Sequence, residues 1–343
     1  LRSPSRKPKR AEAGGKRVLV TGAGGFLGSH IARYLGFRDF QVAAVGRFHA
    51  PLEIGEAYPN LAVLGGMTLP DPAFANLVAR FQPDLLVHCA GTSSVAASVQ
   101  EPYSDFQRTV DVCAFALESI RRHAPRCHFI HLSSASVYGQ PKKLPIDESA
   151  PCAPMSPYGF HKRMCEILVE EYGALFGLST AIVRIFSAYG ENLPRQVVFD
   201  LCGKIAAARG GRVDVLGTGR ESRDFIYAAD VAQAVEILFA KGATGVFNLG
   251  SGRETTIASL LDILLEEMRS DAEPRFTRVS RPGDPLNWRA DIGKLARLGF
   301  APKVSLQDGL RRYCSWFREQ ASRAPAADWI GRPDAVRIPA KGG

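Results

Sequence analysis

The stretch VLVTGAGGFLGSHIARYL, residues 18–35, decides the fold. A short apolar run enters a glycine-rich turn, and the segment that follows repeats its apolar residues at helical spacing. Gly22, Gly25 and Gly28 stand at the junction. A tight strand-to-helix turn needs residues without a Cβ, both to adopt unusual dihedrals and to let the backbone approach a pyrophosphate at the helix N-terminus. In this context the spacing Thr-Gly-x-x-Gly-x-x-Gly predicts a dinucleotide-binding loop, with Gly22, Gly25, Phe26, Leu27 and Gly28 against the cofactor.

Outward from that turn, short apolar runs alternate with helical segments. QVAAVG (41–46), LAVLGG (61–66), DLLVHCAG (84–91), CHFIHLSSASVYG (127–139) and LSTAIVRIF (178–186) read as strands. FANLVARF (74–81) and the amphipathic stretches 103–123 and 156–176 lie between them. Strands that are apolar throughout, separated by helices, predict a parallel sheet covered on both faces, a doubly wound Rossmann α/β fold. The regularity loosens after residue 186. Residues 17–186 are expected to form mainly the Rossmann domain, and 187–320 mainly a smaller α/β substrate domain interleaved with the last Rossmann elements.

The second strand carries a specific signal about the cofactor. Its end meets the adenosine ribose, where an Asp or Glu would accept bonds from both hydroxyls of NAD and repel the 2′-phosphate of NADP. Gly46 removes that acid and Arg47 offers a bidentate phosphate donor, so NADP is favoured over NAD. A solvated surface arginine is the other reading. The third run ends in Gly66-Met67 without an acid for adenine, leaving backbone groups and apolar contact with Met67. Ala90 and Gly91 are assigned to the cofactor as well.

SPYGFHKRMCEILVEEYGALF (156–176) opens with Ser156 as N-cap and Pro157 at the first helical position. Tyr158 and Lys162 are then four apart, on one helix face. A phenol is a poor base near neutrality, but a neighbouring ammonium, a helix N-terminus and an oxidised nicotinamide all favour tyrosinate. Within HLSSASVYG, Ser134 is the hydroxyl expected to bond the same substrate oxygen, with Ser133 and Ser136 satisfying local backbone groups. His161 reads as packing or surface, and Cys152 as a bystander thiol.

The glycine turn together with SSASVYG, SPYGFHK, VRIFSAYG, RDFIYAADVAQAV, NLGSG and RPGD, in this order over about 17–318, resembles the extended short-chain dehydrogenase/reductase superfamily and its nucleotide-sugar epimerases, dehydratases and reductases. The resemblance implies Ser134, Tyr158 and Lys162 as the catalytic triad. Tyr158 would exchange the sugar hydroxyl proton, Lys162 would also hold the nicotinamide ribose, and Ser134 would bond the reacting oxygen. It further implies a homodimer built through the 103–123 and 156–176 helices. Dehydratases of the family carry Asp-Glu directly after the hydroxyl residue, and Ala135-Ser136 here speaks against a 4,6-dehydratase.

Two enzymatic readings remain. SSASVYG and HCAGTSSVAASVQEP resemble 4-epimerases, which oxidise the sugar transiently at C4. Gly46-Arg47, AGTSSV and APMSPYG are also similar to NADPH-dependent reductases of nucleotide 4-keto-6-deoxy sugars. A dinucleotide-binding sensor or scaffold without turnover is the reading of another class, and the intact triad argues against it. For the substrate, a nucleotide-diphosphate sugar, Arg223 and Arg281 stand where relatives clamp the diphosphate. Ser187 and Thr109 stand where relatives usually have Asn, and Arg195 or Gln196 is expected at the mouth of the cleft.

Composition narrows the rest. The apolar fraction of 46% is that of a globular chain, and no apolar stretch approaches bilayer length. The formal charge of +9 sits largely in residues 1–17, with seven Lys or Arg against one Glu. That arm is expected to be disordered rather than a nucleic-acid surface, and residues 321–343 are expected to be a tail. Seven scattered cysteines without a Cys-x-x-Cys pair predict reduced thiols, the cytoplasm and no zinc motif.

Overall fold

Val18, Leu19 and Val20 are all fully buried although their side chains alternate between the two faces of a sheet. Helices cover both faces, which is why the strand reads as continuously apolar. The computed structural model describes residues 15–48, 60–279 and 285–323. The basic arm up to residue 14, most of the predicted tail and Arg281 lie outside the described residues.

The chain opens with β1 (Arg17–Thr21), α1 (Phe26–Gly36), β2 (Gln41–Gly46), β3 (Leu61–Gly65), α2 (Pro72–Phe81) and β4 (Leu85–His88). Helices α3 (Val95–Gln100) and α4 (Pro102–Phe106) lead through a π-helical turn, Gln107–Asp111, into α5 (Val112–His123). Then come β5 (His128–Ser134), a 3₁₀ turn at Ala135–Tyr138, α6 (Pro157–Phe176), β6 (Thr180–Ile185) and β7 (Ser187–Tyr189). The remaining part holds α7 (Gln196–Ala208), β8 (Arg212–Val215), β9 (Ser222–Arg223), β10 (Phe225–Tyr227), α8 (Ala228–Ala240), β11 (Gly245–Leu249) and β12 (Thr255–Thr256). It ends with α9 (Ile257–Met268), β13 (Glu273–Phe276), α10 (Gly293–Ala296) and α11 (Leu306–Arg323).

Seven strands form one parallel sheet in the order β3-β2-β1-β4-β5-β6-β11. Val18, Val20, Val42 and Ala44 face α1 and α8, packing on Ile31, Leu35, Val231 and Val235. Leu19, Val45, Leu86 and Phe129 face α2, α5 and α6, packing on Phe74, Val78, Leu117 and Val169. Each such fully buried side chain contributes about 1.5–3 kcal/mol, so the sheet is a firm base for the loops at its strand ends. Strand β11 and helix α8 return to this layer from the later sequence. Helices α7, α9 and α11 enclose a second core with β8, around Leu201, Val213, Leu261 and Phe317.

No helix among the described residues is long and apolar enough to cross a membrane. Helix α11 runs to Arg323, so the first three residues of the expected tail are helical.

Candidate active site

Strand order reverses around β1, whose neighbours β2 and β4 continue in opposite directions. The crevice beyond the carboxyl ends of β1 and β4 is therefore the expected ligand position. Gly22 closes it with φ +64°, and a Cβ on Gly22 would stand 2.6 Å from the Ala90 amide nitrogen. Gly25 caps α1 in extended conformation, no side chain caps that N-terminus, and the first turn holds no acid. A dinucleotide pyrophosphate fits this cradle of open amides at a positive helix end. The turn needs one glycine more than the spacing suggests: a Cβ on Gly24 would lie 1.8 Å from the Arg47 carbonyl oxygen.

That contact brings the end of β2 over the turn. Gly46 is buried and Arg47 is exposed, with no acid in between. Met67 is half-buried and packs against the same core as α2 and α5. Gly91 has φ +139°, and Lys162 Nζ lies 3.8 Å from where its Cβ would start.

Helix α6 begins as the sequence predicts. Ser156 Oγ accepts from the Gly159 amide at 3.2 Å, Pro157 follows, and Gly177 ends the helix in left-handed conformation. The start of α6 is also fastened from outside, because the Tyr158 amide donates to Ser98 Oγ on α3 at 3.0 Å. Lys162 is buried and donates to the Leu132 carbonyl of β5 at 3.1 Å, and its Nζ stands 6.0 Å from the centre of the Tyr158 ring. The ammonium thus stands beside Gly91 and within reach of the Tyr158 ring.

The serines divide their work differently from the expectation. Ser134 Oγ is the one that accepts from a backbone amide, Ser136 N at 3.2 Å, because it caps the 3₁₀ turn. Its hydroxyl proton stays available to donate, which is what a reacting sugar oxygen requires. Ser133 bonds no backbone group and donates instead to Glu166 at 2.6 Å. Ser136 Oγ is buried without a hydrogen-bond partner among the described residues.

Behind the triad lies a buried network that the motifs alone did not assign. Arg184 on β6 forms a two-pronged ion pair with Glu166 on α6, at 3.0 and 2.8 Å, and also donates to Tyr138 Oη at 3.0 Å. Tyr138 in turn donates to Asn248 on β11. Burial alone would depress the Arg184 pKa, but the Glu166 carboxylate outweighs it and raises it. Burial pushes Tyr138 up to about 12, so it stays a neutral phenol. The signal was present: an arginine inside the apolar run AIVRIF demands a counter-charge. His161 is not on the surface but buried, with Nδ1 2.5 Å from Asp105, which spacing could not reveal at 56 residues' separation.

Ser187 starts β7, and Arg195 stands at the N-cap position of α7 without a side-chain cap bond, its Nε buried and unpartnered among the described residues. Gln196 follows at the helix start with φ +67°. Arg223 donates to the Ser222 carbonyl at 2.8 Å, lies over the Trp288 ring and lines a cavity of about 120 Å³ with Leu216 and Leu286. Asp224 holds this corner together. Fully buried, it accepts from Ser251, Gly252 and Ala290, tying RDF to NLGSG. A larger cavity of about 620 Å³ between α9 and α11 shares no lining residue with this site. Cys152 is half-buried, and burial raises its pKa, which does not suit a proton carrier at neutral pH.

Comparison with known proteins agrees with this geometry. Residues 18–250 match the model of the NAD dependent epimerase/dehydratase family. A UDP-glucose 4-epimerase of Mycolicibacterium smegmatis is 30% identical over 324 residues, covering 89% of this chain and 99% of the relative. A UDP-N-acetylglucosamine 4-epimerase from Methanobrevibacter ruminantium, solved with UDP-N-acetylmuramic acid, superposes with a TM-score of 0.81 at 28% identity, over 89% of this chain and 99% of that one. A UDP-glucuronic acid 4-epimerase from Bacillus cereus, solved with UDP-glucuronic acid and NAD, gives 0.80 at 27% identity over the same shares.

Proposed function

The chain belongs to the NAD dependent epimerase/dehydratase family, and from that premise we propose that it is a nucleotide-sugar 4-epimerase whose substrate is a UDP-sugar. The observation that carries the reading is the placement of Lys162, whose Nζ bonds the Leu132 carbonyl of β5, stands 6.0 Å from the centre of the Tyr158 ring and lies beside Gly91. The UDP-sugars bound in the structural neighbours support the choice of nucleotide.

A bound nicotinamide would supply the acceptor, and then the donor, of the hydride at sugar C4. Every other step belongs to the chain. Tyr158 as phenolate removes the C4 hydroxyl proton and later gives it back. Lys162, fixed by the Leu132 carbonyl, supports the phenolate and holds the nicotinamide ribose. Ser134 donates its free hydroxyl proton to the C4 oxygen. Gly22, Gly25, Phe26, Leu27 and Gly28 bind the pyrophosphate side, with Met67, Ala90 and Gly91 completing the cofactor wall. Arg195, Arg223, Ser187 and Arg281 hold the sugar nucleotide. Ala135-Ser136 supplies no acid and base for eliminating water.

Arg47 favours NADP over NAD, since it is exposed at the ribose end of β2 with no acid beside it. That observation keeps a second reading, the NADPH-dependent reduction of a nucleotide 4-keto-6-deoxy sugar. The working unit is a homodimer, for which the exposed apolar side chains Tyr103 and Phe106 near α4 and Phe160, Met164 and Ile167 on α6 supply a contact face. The free cysteines suit the reducing cytoplasm.

The test is to incubate the protein with UDP-glucose, UDP-galactose, UDP-N-acetylglucosamine and UDP-glucuronate without added cofactor and follow the sugars by proton NMR. Equilibration of a C4 pair supports the epimerase. Stoichiometric NADPH consumption with a 4-keto-6-deoxy sugar nucleotide replaces it with the reductase, and bound dinucleotide without turnover of any sugar replaces it with a sensor.

A further inference from the structure

His88, Cys113 and His131 match no metal-binding spacing in the sequence, yet the fold gathers them. His88 ends β4 and His131 stands opposite it on β5 as its register partner, with ring centres 5.6 Å apart. Cys113 comes from the first turn of α5 above them. One ligand atom from each residue lies within 4.8 Å of the other two. All three side chains are buried, and His88 and His131 are each 1% exposed. Among the described residues neither nitrogen of His131, nor Nε2 of His88, has a hydrogen-bond partner. Leaving such a group unsatisfied costs about 1–3 kcal/mol, so the arrangement calls for a ligand. The Cys165 thiol on α6 is engaged elsewhere, donating to the Thr109 carbonyl at 3.5 Å.

We propose that His88, His131 and Cys113 form a binding site for a thiophilic divalent cation, with zinc as its natural occupant. Two imidazoles and one thiolate are three of the four donors of a tetrahedral zinc site, the fourth position being left to a water. Thr21 Oγ1 engages Nδ1 of His88 at 3.0 Å, which leaves Nε2 for the metal and fixes the ring, the supporting contact that metal-bound histidines require. Zinc bonds of about 2.0–2.3 Å place tetrahedral ligand atoms roughly 3.4–3.8 Å apart. Closure on the ion therefore draws the donors together by about 1 Å, within reach of side-chain rotation. The three donors come from β4, β5 and α5, and the ion would pin that helix to the sheet.

The test uses the untagged full chain, stripped with a chelator and titrated with cobalt(II), which reports thiolate ligation by a charge-transfer band in the near ultraviolet. Retained metal is counted by mass spectrometry after gel filtration. The expected result is a single equivalent of cobalt with that band, displaced by zinc and accompanied by a higher Tm. Cys113→Ala and His131→Gln should each weaken binding by at least about tenfold, and Cys152→Ala should leave it unchanged. The wild-type titration is decisive even where a variant fails to fold. Failure to retain cobalt, retention without the thiolate band, or a band that survives Cys113→Ala overturns the proposal. None of these readouts depends on sugar turnover, so the epimerase reading stands or falls separately.

Discussion

Nδ1 of His161 lies 2.5 Å from one carboxylate oxygen of Asp105, whose other oxygen accepts from the Thr92 hydroxyl. Thr92 follows Gly91, so this single buried carboxylate joins the catalytic helix α6, the short helix α4 and the loop at the cofactor crevice. Asp105→Asn keeps the shape but replaces one acceptor with a donor, leaving His161 or Thr92 unsatisfied. The expected loss in urea denaturation is about 1–3 kcal/mol. Thr92→Val should act in the same direction and combine less than additively with it. Additive losses, or none, would show that the carboxylate is not a shared clamp.

The ion pair of Arg184 with Glu166 is buried at both ends, with Glu166 fully so. Glu166→Gln leaves the guanidinium uncompensated in the core, at an expected cost of about 3–5 kcal/mol. Removing both charges, as in the Glu166→Leu, Arg184→Met double variant, should recover a large part of that loss in the same denaturation assay. A double variant no more stable than Glu166→Gln would contradict the account.

Tyr158→Phe deletes the proton carrier while keeping the ring on α6. Turnover should fall by about 10²–10⁴-fold, with nicotinamide cofactor binding by fluorescence titration unchanged. A variant that retains normal turnover removes Tyr158 from the mechanism.

Arg47→Ala removes the proposed partner of the 2′-phosphate. A charge-assisted hydrogen bond of about 1.5–3 kcal/mol corresponds to a roughly 10- to 100-fold loss of NADP affinity. Affinity for NAD should not change. Titration calorimetry with both dinucleotides checks this, and equal effects on the two would return Arg47 to the ordinary surface.

Burial, with the Lys162 charge adding to it, pulls the His88 pKa from 6.5 down to about 3, and the same causes hold His131 well below its usual value. The unfolded chain takes up protons near pH 6.5 that the folded chain refuses. Stability is therefore complete above that pH and falls as the pH drops, by about 1.4 kcal/mol per unit for each histidine between its two pKa values. Chelator-treated protein should lose Tm steeply between neutral pH and pH 5. His131→Phe should flatten that slope, and an unchanged slope would place the acid sensitivity elsewhere.

The sheet and the catalytic helix were legible because their signals are local. The apolar runs of β1, β2, β4 and β5, the glycine turn and the Ser156-Pro157 start each rest on a few adjacent residues. Gly24 escaped because its constraint comes from the Arg47 carbonyl, twenty-three positions away. Asp105 and His161 escaped for the same reason, and so did the gathering of His88, Cys113 and His131, since strand register is not written in spacing. The division of labour among Ser133, Ser134 and Ser136 turned on which hydroxyl faces Glu166. Arg184 is the instructive case, since a lone charge in an apolar strand announced a partner without naming Glu166.

The crowding at the end of β2 bears on what the glycine turn can tolerate. A Cβ on Gly46 would stand 3.2 Å from the amide nitrogens of Ala23 and Gly24. These amides line the glycine turn, so a side chain grafted at 46 crowds it. Position 47 is exposed and carries no such restriction. A side chain at the end of β2 is therefore admitted at 47 with the turn unmoved, and at 46 only where the turn gives by a few tenths of an ångström.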